Sequence, residues 1–191
     1  CDKSALMLLA GPKLKVGLVT NHVAIGDLVE HISKALIIRK AGLFKDALRN
    51  IFAINHPKIA VCALNPHCGE EGQFGCEEKK IIGPALEMAP KELKKNISGP
   101  FSADTVFWQA LNGEYDGVLA MYHDQGLEPL KTIHFDEAVN ISSGLPYLRV
   151  SPDHGPAKPL FLTGKAKDTS FKQAFKVIIS YMENKKNGYW H

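Results

Sequence analysis

An α/β fold with a mostly parallel sheet is what this sequence predicts, and three observations predict it. Short apolar runs alternate with amphipathic stretches along the chain, the pattern of βαβ units. The 191 residues are enough for one such domain with a substantial core. Three of the apolar runs end in turns that carry a histidine, and in open parallel sheets ligands bind outside the carboxyl ends of the strands.

Taken in order, residues 14–20 (LKVGLVT) form the first expected strand. Asp27 then offers a helix N-cap with Glu30 three residues on, a capping box. Leu28, Ile32, Ala35 and Leu36 follow at helical spacing, and Gly42 reads as the stop. Residues 44–54 read as a second helix. Residues 58–64 (KIAVCAL) are the next strand, running into a Gly-rich loop over 65–75. Residues 77–88 have helical character, with Pro84 as a kink or break. Residues 96–98 are a short strand candidate, and Ser102 or Asp104 caps a helix running through Leu111. Residues 117–121 (GVLAM) are a further strand, followed by candidates over 138–142 and 147–150 and a loop over 152–159. Residues 169–183 close the chain as a helix with Phe171, Ala174, Phe175, Ile178 and Ile179 on one face.

Composition removes several function classes. Hydrophobic residues at 45% and charged residues at 23% are those of an ordinary soluble globular protein. The apolar run at 6–10 is far too short to span a bilayer. A net charge of +3, with no Lys/Arg block interleaved with aromatics, argues against nucleic-acid binding. Cys1, Cys62, Cys68 and Cys76 show no CxxC spacing and read as free thiols in a reducing cytosol. The chain opens on Cys1 rather than Met, and residues 4–11 read as the end of something, so a preceding segment is expected.

The chemistry concentrates after three strands. The first runs into Thr20-Asn21-His22, the second into Asn65-Pro66-His67-Cys68-Gly69-Glu70, the third into Tyr122-His123-Asp124-Gln125-Gly126. His22, His67 and His123 are therefore expected at one crevice, where three neutral imidazoles suit a divalent transition metal with an open position. The plainer alternative is three independent loop histidines. His31, His56, His134 and His191 have no such placement and read as surface or structural groups.

A second group is cationic and polar. Lys131 lies one short helix beyond His123, and Asn140 and Arg149 each end a strand candidate. A lysine point charge, an arginine fork and an amide suit a phosphate monoester or a carboxylate; the alternative is ordinary solvated side chains. Asp104 and Asp124 are the candidate carboxylates, with helix capping as the other role for Asp104. A third group is the turn-rich stretch Asp153-His154-Gly155-Pro156-Ala157, followed by Gly164-Lys165. Such a loop suits the adenosine end of a dinucleotide. No GxGxxG follows a strand, and Gly164-Lys165-Ala166 is not a P-loop.

At these residues a family resemblance appears. Leu64-Asn65-Pro66-His67 with Gly69-Glu70, then Gly99-Pro100 with Ala103-Asp104-Thr105-Val106-Phe107, then Ala120-Met121-Tyr122-His123-Asp124-Gln125-Gly126 with Lys131, resembles the 4-hydroxythreonine-4-phosphate dehydrogenase family. So do Val139-Asn140-Ile141 with Gly144-Leu145-Pro146 and Arg149, and then Asp153-His154-Gly155. The resemblance covers nearly the whole chain, in order.

The resemblance implies a three-layer α/β/α fold like that of the isocitrate and isopropylmalate dehydrogenases, with two domains around a cleft. Residues 1–168 would be the metal- and substrate-binding, dimerising second domain. Residues 169–191 would form a helix packing on a first domain that lies before Cys1 and supplies a His-Thr pair for the substrate. It implies a cytoplasmic homodimer with its active site at the subunit interface. Metal ligands fall on His22, His67 and His123, for zinc, cobalt or magnesium. Substrate-binding positions fall on Lys131, Asn140 and Arg149. Asp104, Asp124 and Lys131 are the candidates for proton transfer. His154, Gly155 and Ala157 would contact NAD or NADP. The implied reaction is NAD-dependent oxidation and decarboxylation of 4-phosphohydroxy-L-threonine to 3-amino-2-oxopropyl phosphate, in pyridoxine 5'-phosphate biosynthesis. A sister enzyme acting on threonate or erythronate 4-phosphate, or a non-catalytic metal-binding dimerisation remnant, are the other readings. Glu71, Pro156 and residues 158–162 depart from the family's usual run.

Overall fold

In the computed structural model, residues 5–153, 163–164 and 167–186 are described. Seven strands form one sheet in the order β4-β3-β5-β2-β1-β6-β7. They are β1 (Leu6–Ala10), β2 (Lys15–Leu18), β3 (Ile59–Cys62), β4 (Ile97–Phe101), β5 (Gly117–Ala120), β6 (Val139–Ser143) and β7 (Arg149–Pro152). Strands β2, β5, β3 and β4 pair in parallel, whereas β1 runs antiparallel to both β2 and β6, and β6 antiparallel to β7. The sheet is thus mixed rather than mostly parallel. The difference comes from β1, whose apolar run had suggested no strand, and from the β6–β7 pair.

Helices cover both faces. Val61, Leu119, Met121 and Ile141 face one side with Leu6 and Leu8, and there meet α2 (Lys34–Phe52), α3 (Gly83–Met88), α4 (Lys91–Lys94) and α7 (Thr169–Lys186). Leu9, Val16, Leu18, Cys62, Val118 and Ala120 face the other side and meet α5 (Ala103–Leu111) and α6 (His123–His134). Alternate residues of one strand thus enter opposite cores, as the period of two requires. Phe44 of α2 is fully buried over the strands at two glycines. A Cβ on Gly117 would lie 2.5 Å from the Phe44 ring, and one on Gly17 would lie 3.1 Å away.

The expected helix pair over 28–54 is instead a short α1 (Leu28–His31) followed by one long α2. Asp27 makes no side-chain cap; its carbonyl bonds His31 Nδ1 at 2.9 Å. Ser33 is the working N-cap, its Oγ accepting from Leu36 N at 3.2 Å. Gly42 does not stop the helix. Ile37, Ala41, Phe44, Leu48 and Ile51 are buried along one face of α2, and their burial outweighs the roughly 1 kcal/mol that an interior glycine costs. Residues 77–88 contain a π-helical turn, Glu78–Ile82, before α3, with Pro84 in the first turn of α3.

The closing helix α7 docks on this same domain. Ser170 and Ala174 are buried, and Val177 and Tyr181 pack on the core. The expected apolar face is split. Ala174 turns inward, while Phe171, Phe175, Ile179 and Met182 stay half-exposed on an outward stripe. Among the described residues, no helix is long and apolar enough to cross a membrane.

Candidate functional site

Strands β2 and β5 are in parallel register, and their pairing continues past both carboxyl ends. Val19 N donates to Ala120 O at 2.9 Å, while Thr20 N and Thr20 Oγ1 both donate to Met121 O, at 3.1 and 2.7 Å. His22 and His123 each lie two residues beyond this last pair. Equal offsets from a shared register bring the rings together, with centroids 5.4 Å apart and planes tilted by 40°. His123 Nδ1 lies 2.6 Å from Asp124 Oδ1. Gln125 ties the third strand to this edge: its Oε1 accepts from Met121 N at 2.7 Å and its Nε2 donates to Ala63 O at 2.8 Å.

A cleft of about 550 Å³ opens beside the two imidazoles. Its wall includes His22, His123, Lys131, Asn140, Arg149 and Asp153. Asn140 and Ser142 share one face of β6, and Arg149 of β7 sits opposite Ser142 in the antiparallel register. Lys131, Asn140 and Arg149, far apart in sequence, thus line one cleft. Lys131 Nζ stands 3.6 Å from Asp153 Oδ2 and 3.4 Å from Asp153 O. Asp153 is itself fixed, its N–H donating to Ser170 Oγ at 3.2 Å, while Ser170 Oγ donates to Ala138 O at 2.6 Å. Asn21 also lines the cleft, and its Oδ1 is buried without a hydrogen-bond partner.

His67 is elsewhere. It lines a second cleft of about 540 Å³ with Asn65, Ser102, Asp104, Tyr122, Gln125, Glu128 and Thr132. Its ring lies 6.4 Å from that of Phe74. The structure therefore brings two of the three expected metal ligands together and sets the third apart, with Asp104. Among the described residues, no group of three His, Cys, Asp or Glu side chains is placed to hold a metal ion. Asp124 belongs with His22 and His123 in a third hollow, also lined by Asn21 and Tyr122. His154, Gly155 and Ala157 lie outside the described residues.

Several groups at these clefts had no role in the sequence reading. Tyr122 lines both the His67 cleft and the Asp124 hollow, and its phenol is held above its ordinary pKa by burial, then by Glu128 and Asp124. Burial, then Glu78 and Asp104, raises the Cys68 thiol. Tyr122 and Gln125 stood inside the 120–126 string, and Asp153 opened its own motif. Nothing in the sequence marked Glu78, which is buried at the end of β3 and accepts from Leu64 N and Asn65 N, both at 2.8 Å.

The family model described as pyridoxal phosphate biosynthetic protein PdxA matches residues 1–178. A 4-hydroxythreonine-4-phosphate dehydrogenase of Geobacter metallireducens is 48% identical over 169 residues, which are 88% of this chain and 49% of that protein. The crystal structure of the Klebsiella pneumoniae 4-hydroxythreonine-4-phosphate dehydrogenase superposes with a TM-score of 0.79 at 40% identity, covering 95% of this chain and 54% of that one. A terephthalate 1,2-cis-dihydrodiol dehydrogenase of Burkholderia xenovorans is more distant, with a TM-score of 0.73 at 26% identity over 93% of this chain and 56% of that one. The chain spans about half the length of the curated relatives it matches. The order of motifs, the converging cleft and these likenesses lead to one conclusion: the chain belongs to the pyridoxal phosphate biosynthetic protein PdxA family.

Proposed function

We propose that this chain supplies the metal- and substrate-binding half of an NAD-dependent dehydrogenase that oxidises and decarboxylates 4-phosphohydroxy-L-threonine to 3-amino-2-oxopropyl phosphate. The observation that carries the reading is the meeting of Lys131, Asn140 and Arg149 with His22 and His123 in one cleft. The substrate presents a phosphate, a carboxylate, an amine and the hydroxyl that is oxidised. The cleft matches that list with two cations, an amide and a pair of imidazoles. Arg149 and Lys131 hold the charged ends and Asn140 fixes their orientation. Asp153 limits the freedom of Lys131, and Asp124 does the same for the His123 ring through Nδ1. Proton transfer falls to Asp124, Asp104 or Lys131.

The donor set fits a divalent ion in part. His22 and His123 offer two imidazoles from one chain, and the buried, unpartnered Asn21 Oδ1 leaves a polar acceptor beside them. His67 completes the set from a second copy, so the reading includes a homodimer with its active site at the subunit interface. Such an ion, zinc or cobalt before magnesium on these ligands, supplies a Lewis acid for the hydroxyl and then the ketone. The 154–157 loop would take the adenosine end of NAD or NADP. The first domain, in a fold like that of isocitrate dehydrogenase, would close the cleft and cover the outward stripe of α7. The setting is the cytosol.

A second reading is that this half serves a related four-carbon acid phosphate, such as threonate or erythronate 4-phosphate, whose charged ends would meet the same Lys131 and Arg149. The test is a fusion carrying the first half of the Geobacter metallireducens relative ahead of this chain. NADH should form with 4-phosphohydroxythreonine and cobalt. A folded fusion that turns over only threonate or erythronate 4-phosphate replaces the substrate. One that binds metal but turns over none of these is the remnant.

A further inference from the structure

We propose that Glu78, with Glu77 beside it, is a positioning residue that sets where the His67 imidazole stands. The inference rests on the reading of His67 as a metal ligand, and it assigns a role to two residues outside that ligand set. Glu78 is 5% exposed. Its Oε1 accepts from Leu64 N and Asn65 N, both at 2.8 Å, and its Oε2 accepts from Asn65 Nδ2 at 3.0 Å. Glu77 Oε2 accepts from the same amide at 2.6 Å. Every one of these bonds ends on the two residues just before Pro66-His67. A buried carboxylate is costly without donors and strongly bound with three.

The loop is wound around these carboxylates. A Cβ on Gly69 would lie 2.7 Å from Glu78 Oε2, and one on Gly75 would lie 2.6 Å from Glu77 Oε2. His67, Cys68, Glu70 and Glu71 all have positive φ, between 39° and 57°, with Gly69 at 75° between them. Each non-glycine residue there is strained, and such a run persists only where its surroundings over-determine it. The glutamate clamp at its entry provides that constraint. Glu78 also opens the π-helical turn Glu78–Ile82, a wide turn often found at functional sites. If the clamp were only a fold anchor, its loss would lower stability and leave the His67 ring where it is.

The test is made on the whole chain, with Glu78→Gln and Glu77→Ala. In Glu78→Gln the amide oxygen stays on Leu64 N and Asn65 N, so the NH2 group faces Asn65 Nδ2, and Glu77→Ala removes its acceptor. Histidine ring signals read by NMR should move for His67 and stay for His22 and His134. Cobalt affinity should fall about tenfold to a hundredfold, the range for removing a partner behind a ligand. His67 signals at wild-type positions in the folded variants overturn the positioning role, whatever the cobalt result. If Glu78→Gln does not fold, Glu77→Ala alone decides. His67→Ala binding cobalt as tightly as wild type overturns instead the ligand reading, and the ring signals still decide the positioning role.

Discussion

The rings of His22 and His123 stand 5.4 Å apart because β2 and β5 leave the sheet in register. Two imidazoles at that separation offer half of a tetrahedral shell. Protein prepared free of chelator should therefore carry one divalent ion per subunit, zinc or cobalt in preference to magnesium. Elemental analysis of wild type beside His22→Ala and His67→Ala checks it. Equal metal content in all three samples removes the shared site.

Arg149 carries the charge recognition on the far wall of the cleft. In a chain completed with a first domain, Arg149→Ala should lower kcat/KM by about 1.5–3 kcal/mol of transition-state binding, the range for a hydrogen bond to a charged group. An unchanged kcat/KM makes Arg149 a surface residue.

Ser170 joins α7 to the cleft through two hydrogen bonds and is 5% exposed. Ser170→Ala should cost about 1–3 kcal/mol, since it strands a buried carbonyl and an amide. Lys131, no longer steadied by a fixed Asp153, should bind inorganic phosphate less tightly. Urea melts and phosphate titration read the two effects separately; a variant as stable as wild type means α7 is not anchored there.

The core tolerates no methyl at Gly117, where the added Cβ would stand 2.5 Å from the Phe44 ring. Gly117→Ala should destabilise by about 1–3 kcal/mol through overpacking. Phe44→Ala should cost about 3–5 kcal/mol through the cavity it leaves. Thermal unfolding of both variants checks this packing.

Two thiols make stability fall in alkali. Burial, with Cys68 adding, pushes Cys62 far above the ordinary thiol range, and burial, then Glu78 and Asp104, raises Cys68. The folded state keeps protons that the unfolded chain releases from about pH 8.5. This contribution is fully present below that pH and is lost as pH rises toward the folded values. Unfolding free energy measured from pH 8 to 10 should drop less steeply in Cys62→Ala than in wild type. Identical slopes mean Cys62 is not the titrating group.

Much of this was legible in the sequence, for local reasons. Apolar runs located β2, β3 and β5, and the residues just past them line clefts, though one shared crevice was expected and His67 lines a second. Lys131, Asn140 and Arg149 were named before the sheet that gathers them. What sequence could not give was direction and register. Nothing in Leu6–Ala10 says that it lies between β2 and β6 and runs against both. Ser33 was passed over for Asp27, because capping depends on backbone angles that residue type does not reveal. His67 stands apart from its expected partners in a loop of positive φ whose entry is bonded to Glu78, a contact that no spacing encodes.

The place of β1 has a consequence for how the molecule comes into being. The imidazole wall hangs on β2 and β5 and the anion-binding Asn140 and Arg149 on β6 and β7, and within the sheet of the described residues β1 lies between them. Within this chain β1 and β2 are close in sequence and pair as a hairpin, whereas the other flank of β1 pairs with β6, far along the chain. Pairing so distant in sequence is slow to form. Until β6 is made, the hairpin therefore carries one uncovered edge, a natural place for a chaperone to hold it.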